Sequence, residues 1–268
     1  MDLQLSNKVA LVSGANRGTG AIIAKQLASE GARVVIHRQK EDSPSYLETA
    51  FPDSLPSNCF CVYGDLTTDE GAQQVFDQSQ SFSTELDILV NNYGQADPGS
   101  WQHSSAEDWV TSYQKNVLSA VRLINLFLPQ MKTQPTGRII QLGTIGALKP
   151  NSRMPQYYAA KATLANLTVS LSKELANTGI TVNAISPGLI KTEEIEAYYK
   201  MRAEKKNWGQ DWADIESAIA KYDFPNPCGR IARREEVADL VSFLASPRAS
   251  FINGQTIRID GGALELAI

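Results

Sequence analysis

The sequence predicts a single doubly wound α/β domain, with a parallel sheet of about seven strands covered by helices on both faces. Three observations predict it. Short apolar runs alternate with amphipathic helical segments, the first junction between them is rich in glycine, and no repeat or linker interrupts the 268 residues. Strands separated by helices favour parallel pairing, because each connection must cross a face of the sheet. We therefore treat residues 1–268 as one domain.

Composition and charge narrow the class of protein. The net charge is −4 with both signs spread along the chain, which predicts neither a nucleic-acid partner nor binding to an anionic membrane. Cys59, Cys61 and Cys228 form neither an even disulfide set nor a metal-ligand spacing, so we expect a reducing compartment and no metal. The N-terminus lacks the basic region of a secretory signal, and no apolar run is long enough to span a bilayer. The expected location is the cytoplasm.

The first half of the chain alternates regularly. A strand at KVALVSG (Lys8–Gly14) leads into an amphipathic helix, GTGAIIAKQLASEG, which Gly31 stops. The second strand, RVVIHR, precedes a polar stretch, Gln39–Asn58, with room for a short helix. The third strand is CFCVYGD, followed by the helix TTDEGAQQVFDQSQSF, which has acids in its first turn, and by the fourth strand, DILVNN.

The second half begins with a capping box at Ser104–Glu107, which predicts one long helix or two abutting ones. The fifth strand is GRIIQLG, and a helix then covers about Gln156–Thr178 and ends before Gly179. The sixth strand is ITVNAIS, and the helix RREEVADLVSFLAS precedes the seventh strand, QTIRID.

One segment, Glu193–Pro227, interrupts the alternation with two predicted helices that carry aromatic residues. Ligands of doubly wound sheets bind beyond the carboxyl ends of the strands, where this segment would lie. It therefore predicts a helical lid over the substrate. The alternative is that its aromatic side chains pack on a neighbouring helix or subunit.

A glycine-rich loop, SGANRGTG, separates the first strand from the first helix. Glycines there let backbone N–H groups approach a pyrophosphate at the helix N-terminus, as in Rossmann-type sheets. The spacing Gly14, Gly18, Gly20 differs from the commoner G-x-G-x-x-G pattern, and an ordinary glycine turn is the alternative.

The end of the second strand indicates which dinucleotide is bound. A site for NAD usually has a carboxylate there for the ribose hydroxyl. This chain has His37 and Arg38 instead, with Arg17 in the glycine loop. Guanidinium groups bind phosphate through paired hydrogen bonds, so NADP (NADPH) is favoured over NAD, unless both arginines are ordinary solvated surface residues.

Two tyrosines lie one helical turn before Lys161. Tyr157 and Tyr158 precede it by four and three residues, and either spacing brings side chains together on a helix. Carbonyl reduction needs a proton donor, and a phenol of pKa about 10 needs a cationic neighbour to exchange protons near neutral pH. Lowering that pKa by ~3 units requires about 4 kcal/mol of differential stabilisation. Spacing alone leaves both tyrosines as candidates.

Together these motifs resemble the short-chain dehydrogenase/reductase family, in its 3-oxoacyl-carrier-protein-reductase-like branch. The resemblance runs from Lys8 to Gly262 and rests on the joint order of SGANRGTG, GDL, NNYG, Tyr157-x-x-x-Lys161, SPGLIKT and NGQTIRIDGG. The family has three residues between tyrosine and lysine, which selects Tyr157. Its enoyl-reductase relatives use a wider gap, which would place the tyrosine at Met154, so the resemblance implies chemistry at C–O and not at C=C.

The resemblance also implies catalytic roles. Tyr157 would be the general acid/base, and Lys161 would lower its pKa and hold the nicotinamide ribose. Thr144 would orient the substrate oxygen, and Asn116 would hold a water of the proton relay. Thr144 replaces the family's usual serine; it keeps the hydroxyl, but its methyl group crowds the pocket. Tyr93 replaces the alanine of the family's NNAG motif, and its ring would either narrow the cofactor cleft or pack against a helix.

The residues expected to bind the cofactor lie in the loops that follow the strands. They are Gly14, Asn16, Arg17, Gly18, Thr19, Gly20, His37, Arg38, Asp65, Leu66, Asn92, Gly94, Pro187, Gly188, Ile190 and Thr192, with Tyr157 and Lys161 shared with catalysis. In the family pattern Asp65 would contact the adenine, Asn92 the adenosine ribose and Ile190 the carboxamide. Alternatively, Asp65 caps a turn and Asn92 ties off a strand end.

The predicted function is that of an NADP(H)-dependent oxidoreductase interconverting a ketone or aldehyde and an alcohol. One alternative is a regulatory protein that binds NADP(H) without turnover, and another is a reductase specific for 3-oxoacyl thioesters. Family members commonly form tetramers through their long helices. The resemblance therefore implies a homotetramer, or a homodimer, acting on a small carbonyl or alcohol substrate.

Overall fold

The computed structural model describes residues 1–41 and 47–265, and its centre is one parallel sheet. The strands are β1 Val9–Val12, β2 Arg33–Arg38, β3 Cys59–Tyr63, β4 Ile88–Asn91, β5 Gly137–Leu142, β6 Ile180–Pro187 and β7 Thr256–Ile259. They lie in the order β3-β2-β1-β4-β5-β6-β7, and every neighbouring pair is parallel. The predicted doubly wound sheet of seven strands is confirmed, and its order reverses between β1 and β4.

Helices connect the strands across both faces. They are α1 Gly18–Ser29, α2 Leu47–Ala50, α3 Asp69–Gln80, α4 Ala106–Tyr113, α5 Ser119–Met131, α6 Pro155–Glu174, α7 Glu193–Lys206, α8 Trp212–Ala218 and α9 Arg234–Ala245. Two π-helical turns, Gln114–Leu118 and Ile219–Asp223, follow α4 and α8. The short helix expected within Gln39–Asn58 is α2, although residues 42–46 of that stretch lie outside the described residues.

The core has two layers because side chains on a strand point alternately to opposite faces. Ala10 and Val12 of β1 belong to the cluster beneath α1 and α9. Val9 and Leu11 belong to the cluster beneath α3 and α5. A strand buried on both faces explains why VALV shows no polar alternation.

The start of α4 differs from the expected capping box. Ser105, and not Ser104, is the N-cap: its hydroxyl accepts from the backbone N–H of Asp108 at 3.2 Å, and the Asp108 carboxylate accepts from the N–H of Ser105 at 2.8 Å. Ser104 instead accepts from the N–H of Ser100 at 3.0 Å. The prediction of Ser104 with Glu107 was wrong because SSAED contains two overlapping capping registers, and only the folded loop selects one. Similarly, α6 ends at Glu174, earlier than the expected Thr178.

The interrupting segment contains the two predicted helices, α7 and α8, and has a small core of its own. Tyr199, Ala203, Ile215 and Ile219 are buried there with Ile231. The aromatic residues therefore pack largely within the segment. Among the residues that the structure describes, no helix has the length and apolar character needed to cross a membrane.

Candidate active site

The glycine-rich loop borders a cavity of about 430 Å³ at the N-terminus of α1, here called the loop cavity. The expected residues among its lining are Gly14, Asn16, Arg17, Gly18, Thr19, Gly20, Asn92 and Gly94. Gly14 and Gly18 have φ angles of 63° and 57°, where glycine is strongly favoured. A side-chain carbon built at Gly18 meets no atom within 4 Å, so the loop backbone faces open space. This cradle suits a phosphate group.

His37 lies behind the glycine loop and is completely buried. Its Nδ1 accepts from the N–H of Gly14 at 2.9 Å, and its Nε2 lies 2.9 Å from the carbonyl oxygen of Gly64. Because Nδ1 accepts, Nε2 must carry the proton and donate to Gly64. The imidazole thus ties the loop to the end of β3. Burial lowers the pKa of His37 to about 4, so the ring is neutral at physiological pH.

The buried imidazole should make the fold sensitive to acid. His37 has a folded-state pKa of about 4 against an ordinary value of 6.5, so the unfolded chain binds the extra proton first as the pH falls. The stabilisation is complete above pH 6.5, and about 3 kcal/mol of it should be lost between pH 6.5 and 4. Denaturant unfolding of wild type and His37→Gln should reveal this as a pH-dependent difference in unfolding free energy.

The second histidine, His103, provides a matched control for this measurement because it is exposed. The variant His103→Gln should follow the wild-type pH dependence. If the stability difference between wild type and His37→Gln stayed constant from pH 7 to pH 4, the proposed buried neutral imidazole would be wrong.

The two arginines expected near the nucleotide occupy different places. Arg38 is 9% exposed, its guanidinium lies 5.3 Å from the ring centre of Tyr63, and it donates to the carbonyl oxygen of Glu41 at 3.2 Å. Arg17 lines the loop cavity and pairs with Glu194 at 3.0 Å. Glu194 belongs to the first turn of α7, so this ion pair bridges the glycine loop and the expected lid.

Asp65 and Asn92 make the structural contacts named as alternatives to cofactor binding. The Asp65 carboxylate accepts from the backbone N–H and the hydroxyl of Thr67 at 2.9 and 2.7 Å, which caps a turn. The Asn92 amide donates to the carbonyl oxygens of Ser13 and Gly14 at 2.9 and 3.0 Å, which holds the end of β4 against the glycine loop. Asn92 also lines the loop cavity.

Four other expected cofactor residues are held by contacts of the fold itself. The side chains of Leu66 and Pro187 are buried. Ile190 forms an isolated bridge with residue 232, and the Thr192 hydroxyl caps α7 by accepting from the N–H of residue 195 at 3.3 Å. Any contact of Leu66 or Pro187 with a nucleotide would therefore come from the backbone.

Tyr93 packs against His37 and also lines the loop cavity. Its ring meets His37 edge-on, with ring centres 5.9 Å apart, and the residue lines the cavity. A side-chain carbon built at Gly14 would lie 2.9 Å from the Tyr93 Cα, so the two backbones are in close contact. Burial raises the pKa of the Tyr93 phenol to about 12.

Asn116 and Lys161 converge at Gly94. Asn116 lies in the first π-helical turn, accepts from the N–H of Gln95 and donates to its carbonyl oxygen, both at 3.0 Å. Lys161 is 5% exposed and donates to the carbonyl oxygen of Leu142 at 2.7 Å, and burial lowers its pKa to about 8. A side-chain carbon built at Gly94 would lie 2.6 Å from the Asn116 Oδ1 and 3.0 Å from the Lys161 Nζ. Glycine is therefore required there.

Thr144 is the N-cap of a short 3₁₀ turn, Ile145–Ala147, that follows β5. Its hydroxyl accepts from the N–H of Gly146 at 3.2 Å. Together with Tyr158 and Gly188 it lines a second cavity of about 430 Å³, here called the Thr144 cavity. The Tyr157 ring lies beside that of Tyr158, with centres 5.5 Å apart.

The expected lowering of the Tyr157 pKa by Lys161 stays a prediction, and in the protein itself desolvation acts against it. Burial, and secondarily the neighbouring Tyr158, raises the pKa of Tyr157. The physical reason is that the phenol is desolvated, while the ammonium of Lys161 is itself buried and donates to the Leu142 carbonyl. Tyr157 is therefore protonated in this structure.

Comparison with known proteins assigns this arrangement to a family. The family model described as enoyl-(acyl carrier protein) reductase matches residues 14–263. The chain belongs to the short-chain dehydrogenase/reductase family. It is 33% identical over 267 residues to the uncharacterized oxidoreductase YvaG of Bacillus subtilis, with 98% of each chain covered. It is 32% identical over 262 residues to the 3-oxoacyl-[acyl-carrier-protein] reductase FabG of Escherichia coli, with 97% of this chain and 98% of FabG covered.

A solved member of the short-chain dehydrogenase/reductase family has closely similar architecture. The L-sorbose reductase of Gluconobacter frateurii, crystallised with NADPH and L-sorbose, superimposes with a TM-score of 0.90 at 32% identity, and 100% of both chains is covered. These findings confirm the predicted family and fold, and they identify the chain as an oxidoreductase of this family.

Sequence analysis missed four polar residues that line cavities of this family member. Gln39, Gln95 and Glu194 line the loop cavity, and Asp223 lines the Thr144 cavity. None belongs to a recognisable motif. Gln39 directly follows β2 and Gln95 lies shortly after β4, so their position beyond the carboxyl ends of strands was the available signal. Among the described residues, no group of three potential metal ligands lies together.

Proposed function

We propose that this oxidoreductase uses NADP(H) to interconvert a ketone or aldehyde and an alcohol, with Tyr157 as general acid/base. The observation that carries the proposal is the continuous path from the glycine cradle to Gly94, where Asn116 and Lys161 meet. The structurally similar L-sorbose reductase, crystallised with NADPH and L-sorbose, supports it. A nucleotide in the loop cavity would end beside the two polar side chains that the proton relay requires.

The residues of the loop cavity fit a dinucleotide phosphate. The open backbone at Gly18 and the N-terminus of α1 would hold the pyrophosphate. Arg17 would supply positive charge for a 2′-phosphate, which would compete with Glu194 for the guanidinium. No acidic residue occupies the end of β2, where a ribose-binding carboxylate of an NAD site would stand. NADP is therefore favoured over NAD, and His37 contributes by fixing the loop.

The proposed mechanism divides hydride and proton between cofactor and protein. The chemistry that NADPH supplies when bound is hydride transfer to the carbonyl carbon. Tyr157, which desolvation keeps protonated, donates its phenolic proton to the carbonyl oxygen as the C=O bond becomes C–OH. The Thr144 hydroxyl orients that oxygen by hydrogen bonding. Lys161, which like Asn116 lies beside Gly94, then returns a proton to Tyr157 and regains one from solvent through a water that Asn116 would hold.

Two alternatives are less well supported. Reduction of a C=C bond would need a tyrosine at position 154, but Met154 stands there as the N-cap of α6 with a φ of 55°. A regulator that binds NADP(H) without turnover would have no chemical need for Asn116, Tyr157 and Lys161 together.

Exposed apolar side chains on α4 and α6 support the proposed association of subunits. Three apolar side chains on the long helices are at least 40% exposed: Val110, Tyr113 and Val169. They lie on α4 and α6, the helix systems through which family members commonly associate, and support a homotetramer or homodimer of single-domain subunits.

Purified wild-type protein should oxidise NADPH in the presence of at least one ketone or aldehyde from a varied panel, and should do so faster with NADPH than with NADH. Following absorbance of the reduced cofactor measures both. In the variant Arg17→Gln, the ratio of kcat/KM for NADPH to that for NADH should fall by roughly 10-fold, because one charge-assisted hydrogen bond to the phosphate is lost. Tight NADPH binding with no turnover on any carbonyl would contradict the enzyme assignment and support the regulator.

A further inference from the structure

The cavity beside Thr144 continues beneath the lid. A larger cavity of about 880 Å³, here called the lid cavity, shares Asn151, Tyr199 and Asp223 with the Thr144 cavity. These shared residues make the two cavities adjoin, so a substrate whose carbonyl reaches Thr144 would extend past Asp223. The side chains there decide which substrates are accepted.

Asp223 ends the second π-helical turn and is held on one side by Arg202. The guanidinium donates to Asp223 Oδ1 at 2.8 Å, and its other nitrogen donates to the hydroxyl of Tyr198 at 3.2 Å. Burial, and secondarily the nearby Asp223 carboxylate, raises the pKa of Tyr199, which lines both cavities beside Asp223. The carboxylate is therefore fixed in position at the wall of both cavities.

A second arginine–carboxylate pair shows that a guanidinium in this fold can bind both oxygens of a carboxylate. Arg230 donates to both oxygens of Glu236, at 2.8 and 2.6 Å. Arg202 donates to only one oxygen of Asp223, and its other terminal nitrogen donates to the hydroxyl of Tyr198. A carboxylate has about four acceptor positions, and the hydrogen bond from Arg202 leaves some of them for a molecule in the cavity.

An acceptor in this position requires donors from the substrate. The Asp223 side chain is 16% exposed, so an apolar group packed against it would leave the acceptor positions that Arg202 does not use without a hydrogen bond. Ammonium groups are disfavoured, because Lys149, Arg153 and Arg202 give the two cavities three positive charges against the single carboxylate. Uncharged hydroxyl groups satisfy both conditions.

We propose that the substrate is a polyhydroxylated ketone or its polyol, and that Asp223, held in position by Arg202, selects it by accepting hydrogen bonds from hydroxyl groups remote from the reacting carbon. This inference rests on the proposed carbonyl-reductase function and names its substrate class. It favours a substrate with hydroxyl groups on its own carbon chain over the acyl chain of a 3-oxoacyl thioester, which carries no hydroxyl donor.

The test compares kcat/KM of the wild type for three probes with NADPH: the ketohexose D-fructose or L-sorbose, the unhydroxylated ketone 2-hexanone, and acetoacetyl-CoA. The ketohexose should be the best substrate. In Asp223→Asn, which keeps the shape and removes the charge, the ratio of kcat/KM for ketohexose to that for 2-hexanone should fall by roughly 10- to 100-fold, mainly through KM.

The variant Asp214→Asn is the matched control, because it removes an exposed carboxylate from the same segment and should leave the ratio unchanged. Wild-type preference for 2-hexanone or acetoacetyl-CoA would overturn the inference and leave the proposed function standing. An equal loss for all probes in Asp223→Asn, with a lower melting temperature, would also overturn it by making the carboxylate structural. Turnover of no probe and of no other carbonyl would instead refute the proposed function.

Discussion

Replacing Tyr157 with phenylalanine should lower kcat/KM for carbonyl reduction by about 10²- to 10⁴-fold, the range expected when a general acid is removed. The phenol is desolvated and protonated, so the variant lacks the proton that the carbonyl oxygen would receive. The ring remains and continues to pack beside Tyr158, with little change expected in folding. Steady-state kinetics with NADPH, together with the dissociation constant of NADPH from protein fluorescence, measure the effect. Cofactor affinity should change little.

The neighbouring Tyr158 provides the sharpest control, because it too lies within one helical turn of Lys161 and lines the Thr144 cavity. Its hydroxyl accepts from the Asn151 amide at 3.1 Å, which gives it a local structural partner. Tyr158→Phe should cost less than about 10-fold, the value of one ordinary hydrogen bond. If instead Tyr158→Phe abolished turnover and Tyr157→Phe did not, the proton donor would be Tyr158, and the family spacing would have selected the wrong residue.

The sheet was predictable because its strands are buried on both faces. VALV in β1 is continuously apolar and β2 contains the apolar run VVI, and the glycines that end the strands and helices are local signals. The N-cap of α4 at Ser105 was not predictable, because Ser104 and Ser105 are both suitable N-cap residues. The choice depends on the hydrogen bond between Ser104 and Ser100, which forms only in the folded loop.

The site was predictable in outline for a related reason. The glycine loop and the path to Lys161 come from motifs with local spacing. The role of His37 was not visible, because an imidazole beside an arginine at a strand end gives no sign that Gly14 and Gly64 will take both its nitrogens. The desolvation of the Tyr157 phenol and the Lys161 amine could not be predicted from the sequence either. A helical spacing of four residues indicates proximity of Tyr157 and Lys161, but not that burial raises the pKa of the phenol and lowers that of the amine.

Adding a single methyl group at Gly94 should disable the enzyme by displacing side chains of the proposed proton relay. A side-chain carbon at this position would lie 2.6 Å from the Asn116 Oδ1 and 3.0 Å from the Lys161 Nζ, both closer than normal contact. The Asn116 amide is pinned by Gln95 on both its oxygen and its nitrogen, so it cannot move without breaking those hydrogen bonds. Misplacement of about 1 Å can cost 10²-fold in rate, so kcat/KM of Gly94→Ala should fall roughly 100-fold.

A double-mutant cycle distinguishes this clash from a general effect on folding. Asn116→Ala removes the nearer contact partner, and it should itself reduce turnover by disturbing the proton relay. In that background Gly94→Ala should cost less than about 10-fold, because the methyl group would occupy the space the amide has vacated, and the two effects should be clearly non-additive. Additive losses would show that Gly94 acts independently of Asn116, which would remove the convergence at Gly94 as support for the proposed relay. Gly94 and Asn116 are twenty-two residues apart in sequence. The coupling energy between the two substitutions therefore measures how strongly the fold constrains the position of the Asn116 side chain in the proposed relay.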